Sequence, residues 1–516
     1  MSNKRLVARN VLSSWAGLAT HLLTGFIVAP FLIVRLGSES YGLWVLIASL
    51  TGYFSLLDLG VSASIGRNAA FHYAKNDREG VNAIVSTALA LLSVVSLIAL
   101  AGTVFVHWLF FRLFDVPPEQ YADVSLALWL VGINLALTFQ NNVWGGTLWA
   151  LERFDVMNAI VIPTLILRTA ATFWLIPLGC GLSGLGLIVL LTTVLEWAAK
   201  VIATFVLDPG LRLRRSLVRR EVGKKLWGYG IWYFFLSMEK SIGDRFIPPI
   251  VGATLGATMA TLYSIPARLI AYAVAVVMSG TQVLTPLATA LYAEDKQRQQ
   301  RHLVLEGGKY CLAIGLLLLT LFAFLGGPLV RLWIGPGWDA AWPLLMILAL
   351  GELLPMSQWL GYSTILAMNR HRLMAWLSIL EGLTVIVLAL VLVRPLGLTG
   401  VCLAVAIPGA ICRGLCQMVY ACHLVRLPLW TYLLRGLLPA VMMAMPPAAA
   451  LALAVSWHAP SSWLQLFGYS AGYGVCFLAT GLLVIGLPRW RRAARAVSVK
   501  PPLVQAPQPA EAPAGT

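Results

Sequence analysis

The chain has 516 residues, of which 59% are hydrophobic and only 11% charged, and it carries a formal net charge of +16. An ordinary soluble domain carries about 25% charged residues, so this composition excludes a single soluble core. The seven cysteines are odd in number, lie in apolar runs and form no CxxC pair, which excludes a disulfide framework and an ordinary zinc site.

The amino terminus MSNKRLVARN is short and basic, and the apolar run behind it has no small-residue cleavage site, so it is expected to stay as a helix. Runs long enough to cross a hydrocarbon core about 30 Å thick lie near 11–34, 41–64, 81–111, 124–148, 156–178, 182–207 and 226–251. Seven more follow near 257–292, 303–333, 340–367, 373–393, 398–424, 431–456 and 463–487. Lipid offers no partner to backbone N–H and C=O groups, and these runs lack strand alternation, so each is predicted to be a helix. The fold class is therefore all-α integral membrane, with about fourteen transmembrane helices and both termini on one face.

Lysine and arginine decide which face, because short loops rich in them stay in the cytoplasm. The amino terminus and alternate loops hold most of the 37 basic residues: Lys4, Arg5 and Arg9; Arg67, Lys75 and Arg78; Arg153; Arg212 to Lys225; Lys296 to Lys309; Arg370 and Arg372; Arg426 and Arg435; Arg489 to Lys500. The opposite face holds only Arg35, Arg112, Arg331 and Arg394. Both termini are expected in the cytoplasm. The positive charge is then topogenic, and no nucleic-acid partner is implied. The connector at 208–225 is expected to lie as a basic amphipathic segment on the anionic leaflet, with membrane lipids as partners. The Pro/Ala-rich end of 489–516 is expected to be disordered.

The sequence also repeats itself at a separation of about 217 residues. Ala150-Leu151-Glu152-Arg153 returns as Ala367-Met368-Asn369-Arg370, and Pro177-Leu178-Gly179 as Pro395-Leu396-Gly397. Leu36-Gly37 before Tyr41 is echoed by Leu255-Gly256 before Tyr263. The expected organisation is a lobe at 1–207, the connector at 208–225, a second lobe at 226–424, two further helices at 425–488, and the tail. Six helices per lobe give both copies the same orientation, a plan that transporters use with the substrate site between halves.

Ionisable residues inside spans cost a few kcal/mol or more, so they face a cavity or a partner. Helix 2 carries Asp58, helix 7 carries Glu239, Lys240, Asp244 and Arg245, helix 8 carries Arg268, and Arg35 and Arg67 lie at span ends. Lys240 and Asp244 are four residues apart and can pair. Pro248 cannot donate to the carbonyl of Asp244, so a freed carbonyl beside a carboxylate is equally a place for Na⁺ or H⁺. Arg268 has no acid within one turn, which suits an anionic ligand. Arg168, Glu196 and Lys200 are expected to neutralise one another within their lobe.

With Asn10, Pro30, Arg35-Leu36-Gly37, Tyr41-Gly42, Asp58-Leu59-Gly60, Asp244 before Gly252, Leu255-Gly256, Tyr263 with Arg268, and Pro286 in place, the chain resembles the oligosaccharide flippases of the MOP superfamily from residue 10 to about 425. The resemblance implies two lobes around a central cavity lined by helices 1, 2, 7 and 8. It implies transport rather than catalysis, in the bacterial inner membrane, of an undecaprenyl-pyrophosphate-linked oligosaccharide, alongside polymerase and chain-length machinery. Arg35, Arg67, Lys240, Arg245 and Arg268 map as substrate contacts, and Asp58, Glu239 and Asp244 as coupling residues. No cofactor is implied beyond H⁺ or Na⁺.

Three rivals remain at this point: a cation-coupled drug antiporter of the same superfamily, an integral-membrane polymerase or ligase, and a scaffold of export machinery. The longest external loop, about twelve residues from Arg112 to Asp123, is small for a catalytic loop, and no GxSxG, HExxH or Walker pattern stands in a usable context.

Overall fold

The computed structural model describes residues 3–58, 60–227, 245–282, 284–368, 370 and 372–485, and among them every regular element is helical. The first part comprises α1 (Asn3–Leu36), α2 (Ser38–Gly52), α3 (Val61–Ala74), α4 (Arg78–Leu113), α5 (Tyr121–Ala150), α6 (Phe154–Leu175) and α7 (Gly181–Leu207). Next come α8 (Ile247–Leu255), α9 (Ala257–Gln282), α10 (Thr285–Ala293), α11 (Gln297–Trp333), α12 (Ala341–Ser357) and α13 (Trp359–Ala367). The last are α14 (Arg372–Gly409), α15 (Gln417–Leu424), α16 (Leu438–Trp457) and α17 (Trp463–Ile485). Among the described residues ten helices are long and apolar enough to cross a bilayer, or eleven when the bent pair α12 and α13 is taken as one. The chain is a multi-pass, all-α integral membrane protein, and fourteen spans are compatible with this count.

The differences lie where local breakers interrupt apolar runs. The run at 41–64 is not one helix: α2 gives way to a 3-10 turn at Tyr53–Asp58, and α3 restarts after Gly60 in a left-handed conformation and runs on to Ala74. The stretch α14 leaves helical geometry at Gly397 (φ 55°, ψ −138°), at the turn expected from Pro395-Leu396-Gly397. The repeat is visible in the backbone. Gly37 (φ 84°, ψ 160°) and Gly256 (φ 92°, ψ 166°) take one conformation, which only glycine adopts without strain, before α2 and α9.

The chain forms two compact units. The first comprises Met1–Tyr272, Gly326–Glu352 and Arg372–Cys412, and the second Ala273–Leu325, Leu353–His371 and Arg413–Thr516. In the first unit Ile65, Val85, Leu92, Phe139, Val143 and Trp144 form a fully buried core between α3, α4 and α5. Lipid tails are as apolar as leucine, so helix association rests on close packing and interhelical hydrogen bonds. Ser96 Oγ accordingly donates to the Ala136 carbonyl at 2.8 Å, tying α4 to α5.

Prolines inside spans free carbonyls that neighbouring helices then satisfy. Pro30 has no N–H for the carbonyl of Phe26, four residues earlier. Trp333 Nε1 donates to that oxygen at 2.7 Å, and its ring stacks on Phe26 with centroids 4.7 Å apart. In the second unit Pro447 orphans the carbonyl of Met443 in the same way, and Thr480 Oγ1 of α17 donates to it at 2.9 Å. The 41° bend between α12 and α13 is held likewise. Gln358 Nε2 donates to Tyr432 Oη at 3.1 Å, Gln417 Nε2 donates to the Gln358 carbonyl at 3.0 Å, and all three side chains are buried.

At the start of α4, Asp77 accepts from the Gly80 amide at 2.9 Å and meets His72 Nδ1 at 2.7 Å. The amide bond first, then the imidazole, hold its carboxyl below the usual range. A depressed carboxyl stabilises above its unfolded pKa and loses that contribution as pH falls through the folded one. Amide exchange at Gly80 and Val81 should therefore accelerate under acid relative to the middle of α4, and Asp77→Ala, which removes the cap, should show fast exchange already at neutral pH.

Candidate functional site

The most polar locus joining the opening helices of the chain lies in the first unit, where α1, α2 and α9 meet. Gly42 of α2 abuts the Ala257 carbonyl at the start of α9, and Thr261 Oγ1 donates to the Ser38 carbonyl at 2.6 Å. This close approach places Tyr41 beside Arg268. The Arg268 guanidinium sits against the hydroxyls of Tyr41 and Tyr272, the latter one turn further along α9. Tyr272 in turn faces α1, where a Cβ on Gly25 would stand 2.5 Å from its hydroxyl. Tyr41 is buried and Arg268 half-buried. Among the described residues the ionisable groups beside this guanidinium are hydroxyls rather than carboxylates, so its charge is not cancelled by an ion pair.

The other expected site residues are distributed differently. Arg245 donates to the carbonyl of Gly52, so its charge sits at the carboxyl end of α2, where the helix dipole favours a cation. Asp58 Oδ1 accepts from Ser62 Oγ at 2.6 Å and from the Ser62 amide at 3.3 Å, which ties it to the first turn of α3. Arg35 is exposed in the last turn of α1 and makes no hydrogen bond or ion pair among the described residues, and Arg67 is exposed on α3. Glu239, Lys240 and Asp244 lie outside the described residues. Tyr272 was readable from its i+4 spacing to Arg268, whereas nothing local to the sequence couples Tyr41 to an arginine on another helix.

Charges away from this locus are self-contained. Lys200 Nζ and Glu196 Oε1 form an ion pair at 2.6 Å, Asn141 Nδ2 donates to the same carboxylate at 2.9 Å, and Arg168 binds the hydroxyls of Thr192 and Thr193 at 2.8 and 3.2 Å. Removing one partner of a buried pair leaves an uncompensated charge and costs about 3–5 kcal/mol. Lys200→Ala should therefore lower the melting temperature of the detergent-solubilised protein by several degrees, and Glu196→Gln in the same chain should recover part of the loss. Equal melting of wild type and Lys200→Ala would remove the pair from the list of stabilising contacts. Lys309, counted above with a cytoplasmic loop, belongs instead to α11: it is buried and pairs with Glu306 at 2.8 Å. The helix begins at Gln297, earlier than its apolar run suggested, because local pairing neutralises the charge.

These features define the class: a multi-pass, all-α membrane protein whose fold is shared with solved membrane transporters. A structure described as lipid II flippase MurJ in an inward closed conformation is similar with a TM-score of 0.70 at 14% identity, over 94% of this chain and 99% of that one. An inward-facing multidrug resistance MATE family transporter of the MOP superfamily is similar with a TM-score of 0.68 at 15% identity, over 80% of this chain and 94% of that one. The sequence profile of the family described as "Polysaccharide biosynthesis protein" matches residues 32–343, more than half of the chain, and the chain belongs to that family. Its relatives include the uncharacterized membrane protein EpsK of Bacillus subtilis (strain 168), 26% identical over 76% of this chain and 79% of that protein. A Shigella flexneri protein provisionally named as an O-antigen transporter is 20% identical over 80% of this chain and 97% of its own length.

Proposed function

We propose that the protein flips an undecaprenyl-pyrophosphate-linked oligosaccharide from the cytoplasmic to the periplasmic leaflet of the bacterial inner membrane, for assembly of a surface polysaccharide. The observation that carries this reading is the Arg268 guanidinium, oriented by Tyr41 and Tyr272 and matched by no carboxylate among the described residues. A planar cation presented in this way suits the oxygens of a pyrophosphate, which it can engage bidentately. The relative named for O-antigen transport and the flippase structure support a lipid-linked glycan over a small drug as cargo. The lipid tail stays in the bilayer while the polar head crosses, which spares the protein its desolvation. Arg35, Arg67, Arg245 and Lys240 are proposed as further contacts along the path, and Asp58, Glu239 and Asp244 as groups that couple the cycle to H⁺ or Na⁺. Both termini are placed in the cytoplasm by the lysine and arginine bias, and polysaccharide polymerase and chain-length proteins are the expected neighbours.

The test is flipping of a fluorescent undecaprenyl-pyrophosphate oligosaccharide in proteoliposomes, with and without imposed H⁺ and Na⁺ gradients. Flipping by the wild type supports the reading. Absence of flipping with several glycans, together with gradient-driven efflux of a cationic dye, would replace it with a small-molecule antiporter.

A further inference from the structure

The connector between α7 and the following span is a pinned strap. Residues 211–214 have no regular structure, with Arg214 extended, Arg215–Leu217 form a single 3-10 turn, and helix resumes at 220–227. Its backbone is stitched to the first turns of α4: the Arg212 amide donates to Asn82 Oδ1 at 2.9 Å, the Arg214 amide to Ser86 Oγ at 3.4 Å and the Arg219 amide to Thr87 Oγ1 at 3.2 Å. Leu211 and Leu226, at either end, are buried in the core of the first unit. Before the strap begins, Asp208 is buried and accepts from Tyr73 Oη at 2.7 Å and from Arg78.

This anchoring leaves one face outward. Arg212, Arg214, Arg215, Arg219, Arg220, Lys224 and Lys225 are all exposed, against a single acid on the strap, Glu221. Of these cations only Arg219 is in an ion pair among the described residues, with Glu79. Leu213 and Val218 are exposed between them, 41% and 44% accessible. Two features are therefore held together: cations that, Arg219 apart, no acid among the described residues pairs with, and large apolar side chains left partly uncovered. A topogenic loop needs only the charges. A fixed backbone that alternates arginines with exposed leucine and valine matches the boundary between headgroups and acyl chains.

We propose that the exposed face of residues 212–225 is a binding surface for anionic phospholipid headgroups. The arginines engage lipid phosphates while Leu213 and Val218 enter the acyl boundary. The interleaved apolar residues favour a lipid over a soluble acidic protein, which would gain nothing from burying isolated side chains among arginines. Because the strap is stitched to α4, the bound lipids form an annulus fixed to the amino-terminal end of that helix.

The experiment uses the full-length protein in detergent, titrated with phosphatidylglycerol or phosphatidylcholine and read by native mass spectrometry. The variant is Arg214→Gln with Arg215→Gln and Arg220→Gln, none of which is in an ion pair among the described residues, and a second variant carries lysine at the same three positions. Wild type should retain phosphatidylglycerol in preference to phosphatidylcholine. The glutamine variant should bind it about a hundredfold more weakly, each cation near an anionic surface being worth about fivefold. The lysine variant should bind as wild type does, which separates lost charge from lost fold. Equal retention of both lipids by wild type, or unchanged phosphatidylglycerol binding by the glutamine variant, would overturn the proposal. So would displacement of the lipid by soluble polyglutamate at matched charge, which would point to an acidic protein partner instead.

Discussion

Replacing Arg268 with alanine should reduce flipping of the lipid-linked oligosaccharide by on the order of a hundredfold, while the protein still folds and inserts. Hydrogen bonds to a charged group contribute about 1.5–3 kcal/mol, and a bidentate arginine–phosphate contact provides two of them. The fold should tolerate the change because the lost partners are hydroxyls, Tyr41 and Tyr272, and a hydroxyl left alone is far less costly than an unpaired carboxylate. Arg268→Lys keeps the charge without the fork and should fall between wild type and alanine. Tyr41→Phe should leave the charge in place but release its orientation, lowering affinity less than the alanine variant does. The measurement is initial flipping rate against substrate concentration in proteoliposomes, with insertion checked by size exclusion and protease accessibility. Wild-type rates in Arg268→Ala would sink the assignment of this locus to the glycan's pyrophosphate.

A second large effect is expected at Gly42, and there it is structural. A Cβ on this residue would overlap the Ala257 carbonyl, whose carbon would stand 2.5 Å away, and would lie 3.0 Å from Thr261 Oγ1. Backbone atoms cannot rotate aside as a long side chain can, so α2 and α9 would have to separate. Overpacking costs about 1–3 kcal/mol in ordinary cores. In a helix interior alanine gains up to about 1 kcal/mol over glycine, so a net loss is a lower bound on the cost of the clash. Gly42→Ala should lower the melting temperature of the purified protein and, by shifting Tyr41, weaken substrate binding as well. Gly468→Ala on α17 is the control, because nothing lies within 4 Å of its added Cβ. Identical melting of wild type and Gly42→Ala would show that the two helices are not held at this contact.

Much of the architecture was legible in the chain because the bilayer imposes local rules. Apolar length sets where a helix spans, glycine at Gly37 and Gly256 marks equivalent turns before α2 and α9, and the Glu196 to Lys200 spacing puts an ion pair on one face of a helix. The same logic located Arg268 as a cation with no acid within one turn of its own helix.

What remained was decided by packing between helices. The apolar run at 41–64 hides a 3-10 turn, because hydropathy does not register a change from one helical geometry to another. Whether the carbonyl freed by Pro30 would meet Trp333, or the one freed by Pro447 would meet Thr480, depends on which helix lies alongside. The meeting of Tyr41 with Arg268 is of the same kind, since it needs Gly42 to let two backbones touch. A sequence records the period of one helix against the bilayer. Contacts between helices leave no such period, because in lipid they are chosen by steric fit and by single hydrogen bonds between residues far apart in the chain.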